Sequence, residues 1–112
     1  MLNKEVLINI FQKLFEGAKN FYDEFNLADG KIGDGDLGIT ILNGFEEINN
    51  NINKFNDDMG SNFMICSQAF VKKSGSSFGT LVAFSFMNIS KKLKDSSNYS
   101  EVFKSATKQA LE

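Results

Sequence analysis

The stretch IGDGDLGIT, residues 32–40, sets two carboxylates one residue apart among three glycines, where two apolar segments meet. On its N-terminal side, residues 3–27 carry Leu7, Ile10, Phe11, Leu14, Phe15, Ala18, Phe21, Tyr22 and Phe25 at three- and four-residue spacing. That period predicts one long helix with a single buried face. On its C-terminal side, Ile41, Leu42, Phe45, Ile48 and Ile52 predict a second helix. Between them, residues 28–38 hold four glycines and three aspartates, with Ile32 and Leu37 as the strong hydrophobes, and read as a structured loop.

Further along, the asparagine-rich residues 49–56 predict a connector, because their amides compete with backbone hydrogen bonds. A third apolar segment covers residues 61–71, and the small, turn-prone residues 72–80 then interrupt it. Residues 81–93 predict a strongly apolar helix, and Ser100 with Glu101 marks the start of a last one as an N-cap followed by an early acid. No segment alternates with a period of two between hairpin turns, so the expected architecture is all-α, an antiparallel helical bundle of about five helices. The final pattern (Val102, Phe103, Ala106, Ala110, Leu111) shows no C-cap glycine, and the chain is expected to stop inside a helix.

With 112 residues, 42% hydrophobic and 23% charged, the chain is expected to form one soluble domain over residues 1–112 with a modest core. A net charge of −2 provides no basic field for phosphate-rich polymers, which argues against nucleic-acid binding. No apolar run approaches the roughly 18 uncharged residues of a membrane span and no signal pattern opens the chain, so a cytoplasmic location is expected. The single Cys66 lies among Met64, Ile65 and Ala69, so it forms no intrachain disulfide and reads as a buried structural thiol. The absence of histidine removes imidazole catalysis, histidine-ligated zinc and Ser-His triads, leaving oxygen donors for any metal.

Asp29, Asp34 and Asp36 fall within eight positions, and the glycines at 30, 33, 35 and 38 allow the backbone to bring their carboxylates together. A divalent cation would relieve their repulsion, and magnesium would keep coordination positions open for phosphate oxygens. The alternative is that Asp34 or Asp36 caps the following helix while the others are solvated. Calcium in an EF-hand register does not fit, since glycine and ligand positions fall on the wrong residues from either starting aspartate. In the second loop, Ser74-Gly75-Ser76-Ser77-Phe78-Gly79-Thr80 places consecutive small residues before a helix, where backbone amides and hydroxyls could converge on an anion. The plain alternative is an interhelical turn capped by Thr80 or Ser77, and the order of a P-loop is absent.

Together the two loops resemble the nucleotide-binding L subunit of dihydroxyacetone kinases, the DhaL domain family. That family carries an Asp, then Ile-Gly-Asp-Gly-Asp-His-Gly, and later a Gly-Ala-Ser-Gly-Pro-Leu-Tyr-Gly-Thr-like loop. Here Leu27-Ala28-Asp29-Gly30-Lys31-Ile32-Gly33-Asp34-Gly35-Asp36-Leu37-Gly38 keeps the three aspartates in spacing, the serine-glycine loop keeps the small-residue frame, and Gly44-Phe45 matches the following helix. Leu37 stands at the family's histidine, and Ser76-Ser77-Phe78 stands at Pro-Leu-Tyr. The chain reads as the N-terminal half of that domain, truncated at its C-terminus before an Asp-Pro-Gly loop and the helices that close the barrel.

The resemblance implies the first half of an antiparallel helical barrel that binds ADP or ATP at one end. Its phosphates would be bridged to the protein by Mg2+ on Asp29, Asp34 and Asp36. Ser74, Gly75, Ser76, Ser77, Gly79 and Thr80 become the phosphate candidates. It also implies a kinase subunit that works with a dihydroxyacetone-binding K subunit and a phosphotransferase-system M subunit. Phosphoryl transfer depends mainly on positioning and charge neutralisation, which such parts supply. With no arginine in the chain, metal ions and lysines would carry the positive charge. Two alternatives stand beside this reading: a related fatty-acid-type kinase domain, whose loop more often reads Pro-Asp-Gly-Asp-Thr-Gly, and a truncated non-catalytic remnant or interaction module.

Overall fold

The computed structural model describes residues 2–31, 33 and 35–95. Five α-helices are found among them: α1 (Lys4–Asn20), α2 (Tyr22–Gly30), α3 (Leu37–Asn50), α4 (Met59–Lys73) and α5 (Ser77–Asp95). A single 3-10 turn, Ile52–Lys54, lies between α3 and α4, and no strand occurs among the described residues. The all-α expectation therefore holds, although the count of five arises differently. The last expected helix, from Ser100, lies outside the described residues, and the first one, over residues 3–27, is two helices.

The division falls at Phe21, whose backbone leaves the helical region (φ −107°, ψ 13°) while its N–H still donates to the Gly17 carbonyl at 3.0 Å. Hydrogen bonding continues on the far side, with the Phe25 N–H donating to the Phe21 carbonyl at 2.9 Å. A bend of one residue leaves the apolar spacing intact on both sides, so periodicity does not register it. The N-terminal end of α1 is set by Asn3, whose side chain accepts the Val6 N–H at 2.9 Å, the usual N-cap arrangement.

Contacts along the helices establish their directions. Phe11 pairs with Asn49 in α1 and α3, whereas Ala18 faces Ile41 across the groove they share. Gly44 meets Phe70 and Thr40 meets Ser74 between α3 and α4 and its C-cap, and Ser67 bonds Ala83 while Ser90 bonds Gly60 between α4 and α5. In each pair one number rises as the other falls, so α1, α3, α4 and α5 run up and down in turn. Consequently α3 and α5 are parallel, and their N-termini occupy the same end of the bundle.

The core is built on phenylalanine. Phe11 contacts Phe45, Phe55, Phe63 and Phe86 at centroid distances of 6.3, 6.2, 6.5 and 5.8 Å, and Phe70 stands edge-on to Phe45 at 5.4 Å. Tilted and edge-to-face pairs of this kind add to the stabilisation from burial. Cys66 is fully buried in this core, and burial pushes its thiol well above the ordinary range, so it acts as a small hydrophobe. Gly44 is where α3 comes closest to α4, because a Cβ there would overlap the Phe70 ring. Leu27, Leu81 and Phe84 stay largely exposed. No helix among the described residues is long and apolar enough to cross a membrane.

The asparagine-rich connector is more ordered than its composition suggests. Asn49 Nδ2 donates to the carbonyls of Phe11 and Phe45, both at 2.9 Å, and α3 extends to Asn50. Buried Asn62 closes the connector by accepting the Asn56 N–H at 2.9 Å and donating to the Asn56 carbonyl at 2.8 Å. At the start of α4, Asp58 accepts the Ser61 hydroxyl at 2.8 Å and the N–H groups of Ser61 and Gly60 at 3.4 and 3.0 Å. These bonds, the Ser61 hydroxyl foremost, hold its carboxyl below the ordinary value of 3.8.

Two stability measurements follow from this packing. Gly44→Ala should lower the urea midpoint, at a cost of about 1–3 kcal/mol from overpacking against Phe70. Gly17→Ala, where a Cβ meets nothing within 4 Å, should be neutral or stabilise by up to about 1 kcal/mol; equal effects at the two sites would contradict the packing. For Asp58 the folded-state value is depressed, so its contribution is complete above pH 3.8 and is lost as the pH falls through the lowered value. Asp58→Ala should therefore unfold at lower urea than the parent at neutral pH, with the gap narrowing as the pH drops below 3.8.

Candidate functional site

The start of α3 is held by α2. Gly38 lies so close to the Tyr22 carbonyl and the Asn26 side chain that a Cβ there would overlap both. Asn26 Oδ1 uses that proximity to accept the Gly38 N–H at 2.7 Å, which pairs one of the amides a helix start leaves free. The acidic loop then folds around Asp29. Its Oδ2 accepts the N–H groups of Gly35 at 3.0 Å and Asp36 at 3.1 Å, and its carbonyl accepts the Gly33 N–H. Gly35 has φ +76°, a left-handed conformation that glycine adopts without penalty.

Asp36 occupies the N-cap position of α3, yet its side chain makes no capping hydrogen bond and is exposed. Its carboxylate is thus left to other partners, close to the amides that make a helix N-terminus favourable for negative charge. Asp34, the third expected ligand, lies outside the described residues.

The second loop is built around Ser76. Its Oγ accepts the Gly79 N–H at 3.1 Å, and its carbonyl accepts the Thr80 N–H at 3.0 Å and the Thr80 hydroxyl at 3.1 Å. Ser76 is therefore the cap of α5, in place of the expected Thr80 or Ser77, and the helix begins at Ser77 well before residue 81. The reason is local: Gly79 packs against Ser74 with no room for a Cβ, which draws the first turn of α5 onto the loop. Buried Ser74 donates its hydroxyl to the Thr40 carbonyl at 3.3 Å, and Thr40 Oγ1 donates to Ser76 Oγ at 3.2 Å.

These contacts bring both loops to one cleft of about 470 Å3, lined by Asp29, Gly33, Asp36, Leu37, Thr40, Gly75, Ser76, Ser77 and Phe78. Of the residues singled out in the sequence, Asp29, Asp36, Gly75, Ser76 and Ser77 form its wall. Ser74 and Gly79 are buried and support the loop from behind, and Thr80 is exposed with its hydroxyl turned back to Ser76. Gly33, Leu37, Thr40 and Phe78 complete the wall and were not singled out as ligands. Leu37 and Thr40 are three residues apart on α3, so the helical period would have put them on one face once Leu37 was placed.

Among the described residues of the lining, the charged ones are Asp29 and Asp36, both acidic. They face the N-terminal turn of α5, where the first amides and the hydroxyls of Ser76 and Ser77 favour an anion. An anion in the cleft therefore meets two carboxylates unless a cation stands between them. No group of three or more Asp, Glu, Cys or His side chains is close enough to hold a metal ion among the described residues. The donor set, however, is oxygen only, and magnesium is commonly held by one or two carboxylates together with phosphate oxygens.

The fold and cleft define a helical domain with a paired acidic and serine-glycine loop at one end. The family model of the DAK2 domain matches residues 31–112, a span that includes α3, α4, α5 and most of the cleft wall. The chain belongs to this family, the DhaL-type domain of dihydroxyacetone kinases. No curated protein matches it.

Removing the Asn26 tether tests the local architecture. Asn26→Ala leaves the Gly38 N–H without its partner and should lower the urea midpoint, a loss of about 1 kcal/mol in unfolding free energy, as loss of a helix cap does. Faster amide exchange at Gly38 should accompany it. Unchanged stability and exchange would contradict the role assigned to Asn26.

Proposed function

We propose that the chain binds ADP or ATP with magnesium in this cleft and serves as the nucleotide-holding L subunit of a dihydroxyacetone kinase. The acceptor is a small hydroxyketone held by a separate K subunit, with a phosphotransferase-system M subunit as the source of phosphoryl groups. The observation that carries this reading is the meeting of the acidic loop and the serine-glycine loop in one cleft, with Thr40 of α3 bonded to Ser76 36 positions away.

Each part has a chemical task. Asp29, Asp34 and Asp36 would hold the magnesium, Asp29 while also clamping its own loop through Gly35 and Asp36. Ser76, Ser77 and Gly75, with the first amides of α5, take the phosphate oxygens, while Ser74, Gly79 and Thr80 hold the loop in shape. When bound, magnesium supplies the neutralising charge that phosphoryl transfer needs and that no cationic residue provides among the described residues of the cleft wall. Leu37 lends the wall no titrating group, so the chain's own contribution is positioning.

Calorimetry with ADP tests this. Saturable binding is expected with magnesium and none without it. Asp36→Asn should weaken the affinity by more than about tenfold, as removing a charged partner does. Because the Asp36 side chain makes no capping bond, α3 should keep its fold in this variant. Magnesium-independent binding, no binding by the parent, or an unaltered Asp36→Asn variant would contradict the proposal.

A further inference from the structure

We infer that Thr40 is a positioning residue: its hydroxyl orients the Ser76 hydroxyl so that the Ser76 proton is donated into the cleft, to an oxygen of a bound phosphate. The inference rests on the nucleotide reading above and adds to it the residue that prepares one of its phosphate donors. A serine hydroxyl offers one proton and two acceptor positions. At Ser76 one acceptor position is filled by the Gly79 N–H at 3.1 Å; Thr40 Oγ1 lies 3.2 Å away, is buried and has no other hydrogen-bond partner among the described residues, so its proton is assigned to the second position. The proton is the group left over, and Ser76 lies on the cleft wall.

Thr40 is itself fixed from three directions. It is 6% exposed, its N–H donates to the Asp36 carbonyl at 3.0 Å, and its carbonyl accepts the Ser74 hydroxyl at 3.3 Å. Branching at Cβ restricts its χ1, so the hydroxyl has little freedom to turn away. Through Thr40 the carbonyl of the α3 cap is linked to the hydroxyl that caps α5, and the cation and phosphate sides of the cleft are held in one register. Without the Thr40 hydroxyl, Ser76 regains a vacant acceptor position and its proton is no longer directed, so binding must first order it.

The experiment is titration of magnesium–ADP into the parent, Thr40→Val, Thr40→Ser, Ser76→Ala and the Thr40→Val/Ser76→Ala double variant, with a ligand-free melt of each. Thr40→Val should bind about five- to tenfold more weakly, the scale of one hydrogen bond. Thr40→Ser, which keeps the hydroxyl, should bind within about twofold of the parent on the same scale. The double variant should bind no more weakly than Ser76→Ala alone, because Thr40 acts through Ser76. Additive losses, or Thr40→Val binding as tightly as the parent, would overturn the inference and leave the nucleotide reading standing. No binding by the parent would overturn both. Should Thr40→Val fail to melt cooperatively, Thr40→Ala takes its place with the same expectations.

Discussion

Two successive helix reversals, α3 to α4 and α4 to α5, bring the N-termini of α3 and α5 to one end of the molecule, and the rest of the site depends on that constraint. Parallel neighbours place two partly positive helix ends side by side, an arrangement that disfavours itself unless negative charge lies nearby. Asp36 at the start of α3 and Asp29 beside it provide such charge within the protein. The hydrogen bonds from Ser74 to Thr40 and from Thr40 to Ser76 then tie the two ends together. A cleft that is acidic on one wall and rich in helix amides on the other follows from this geometry, and it suits a cation and an anion bound together better than either alone.

Residues at this end divide into those that hold and those that remain open. Asn26, Ser74, Gly38 and Gly79 are committed to packing and capping, with Asn26 Oδ1, the Ser74 hydroxyl and the N–H groups of Gly38 and Gly79 paired inside the protein. Asp36 and Ser77 are exposed on the wall. Asp29 and Ser76 belong to both groups, since each organises its own loop and also faces the cleft. Substituting either would disturb shape and chemistry together, whereas Asp36 separates the two.

Much of this was legible in the sequence. The 3.6-residue period identified the helical segments, the lack of alternation excluded strands, and the glycine-rich loops marked both sides of the cleft. Cys66 was recognisable as core from its neighbours. What escaped has physical causes. A single-residue bend at Phe21 leaves the periodicity intact. The choice of Ser76 over Ser77 or Thr80 as cap depends on Ser74 filling the space next to Gly79, a tertiary fact. Thr40 carries no signal of its own in the sequence because its partners lie 34 and 36 positions away. The asparagines near residue 50 read as a loose connector, yet Asn49 binds a carbonyl in α1, a pairing that only the assembled helices create.

The central claim is that one bound metal–nucleotide complex touches both loops at once, and paramagnetic broadening tests it most directly. With Mn2+ in place of magnesium and ADP present, the amide resonances of Gly33 and Asp36 and those of Ser76 and Ser77 should broaden first and together, at substoichiometric metal. Broadening confined to one loop, or spread over carboxylates distant from the cleft such as Glu16 and Asp58, would contradict the account.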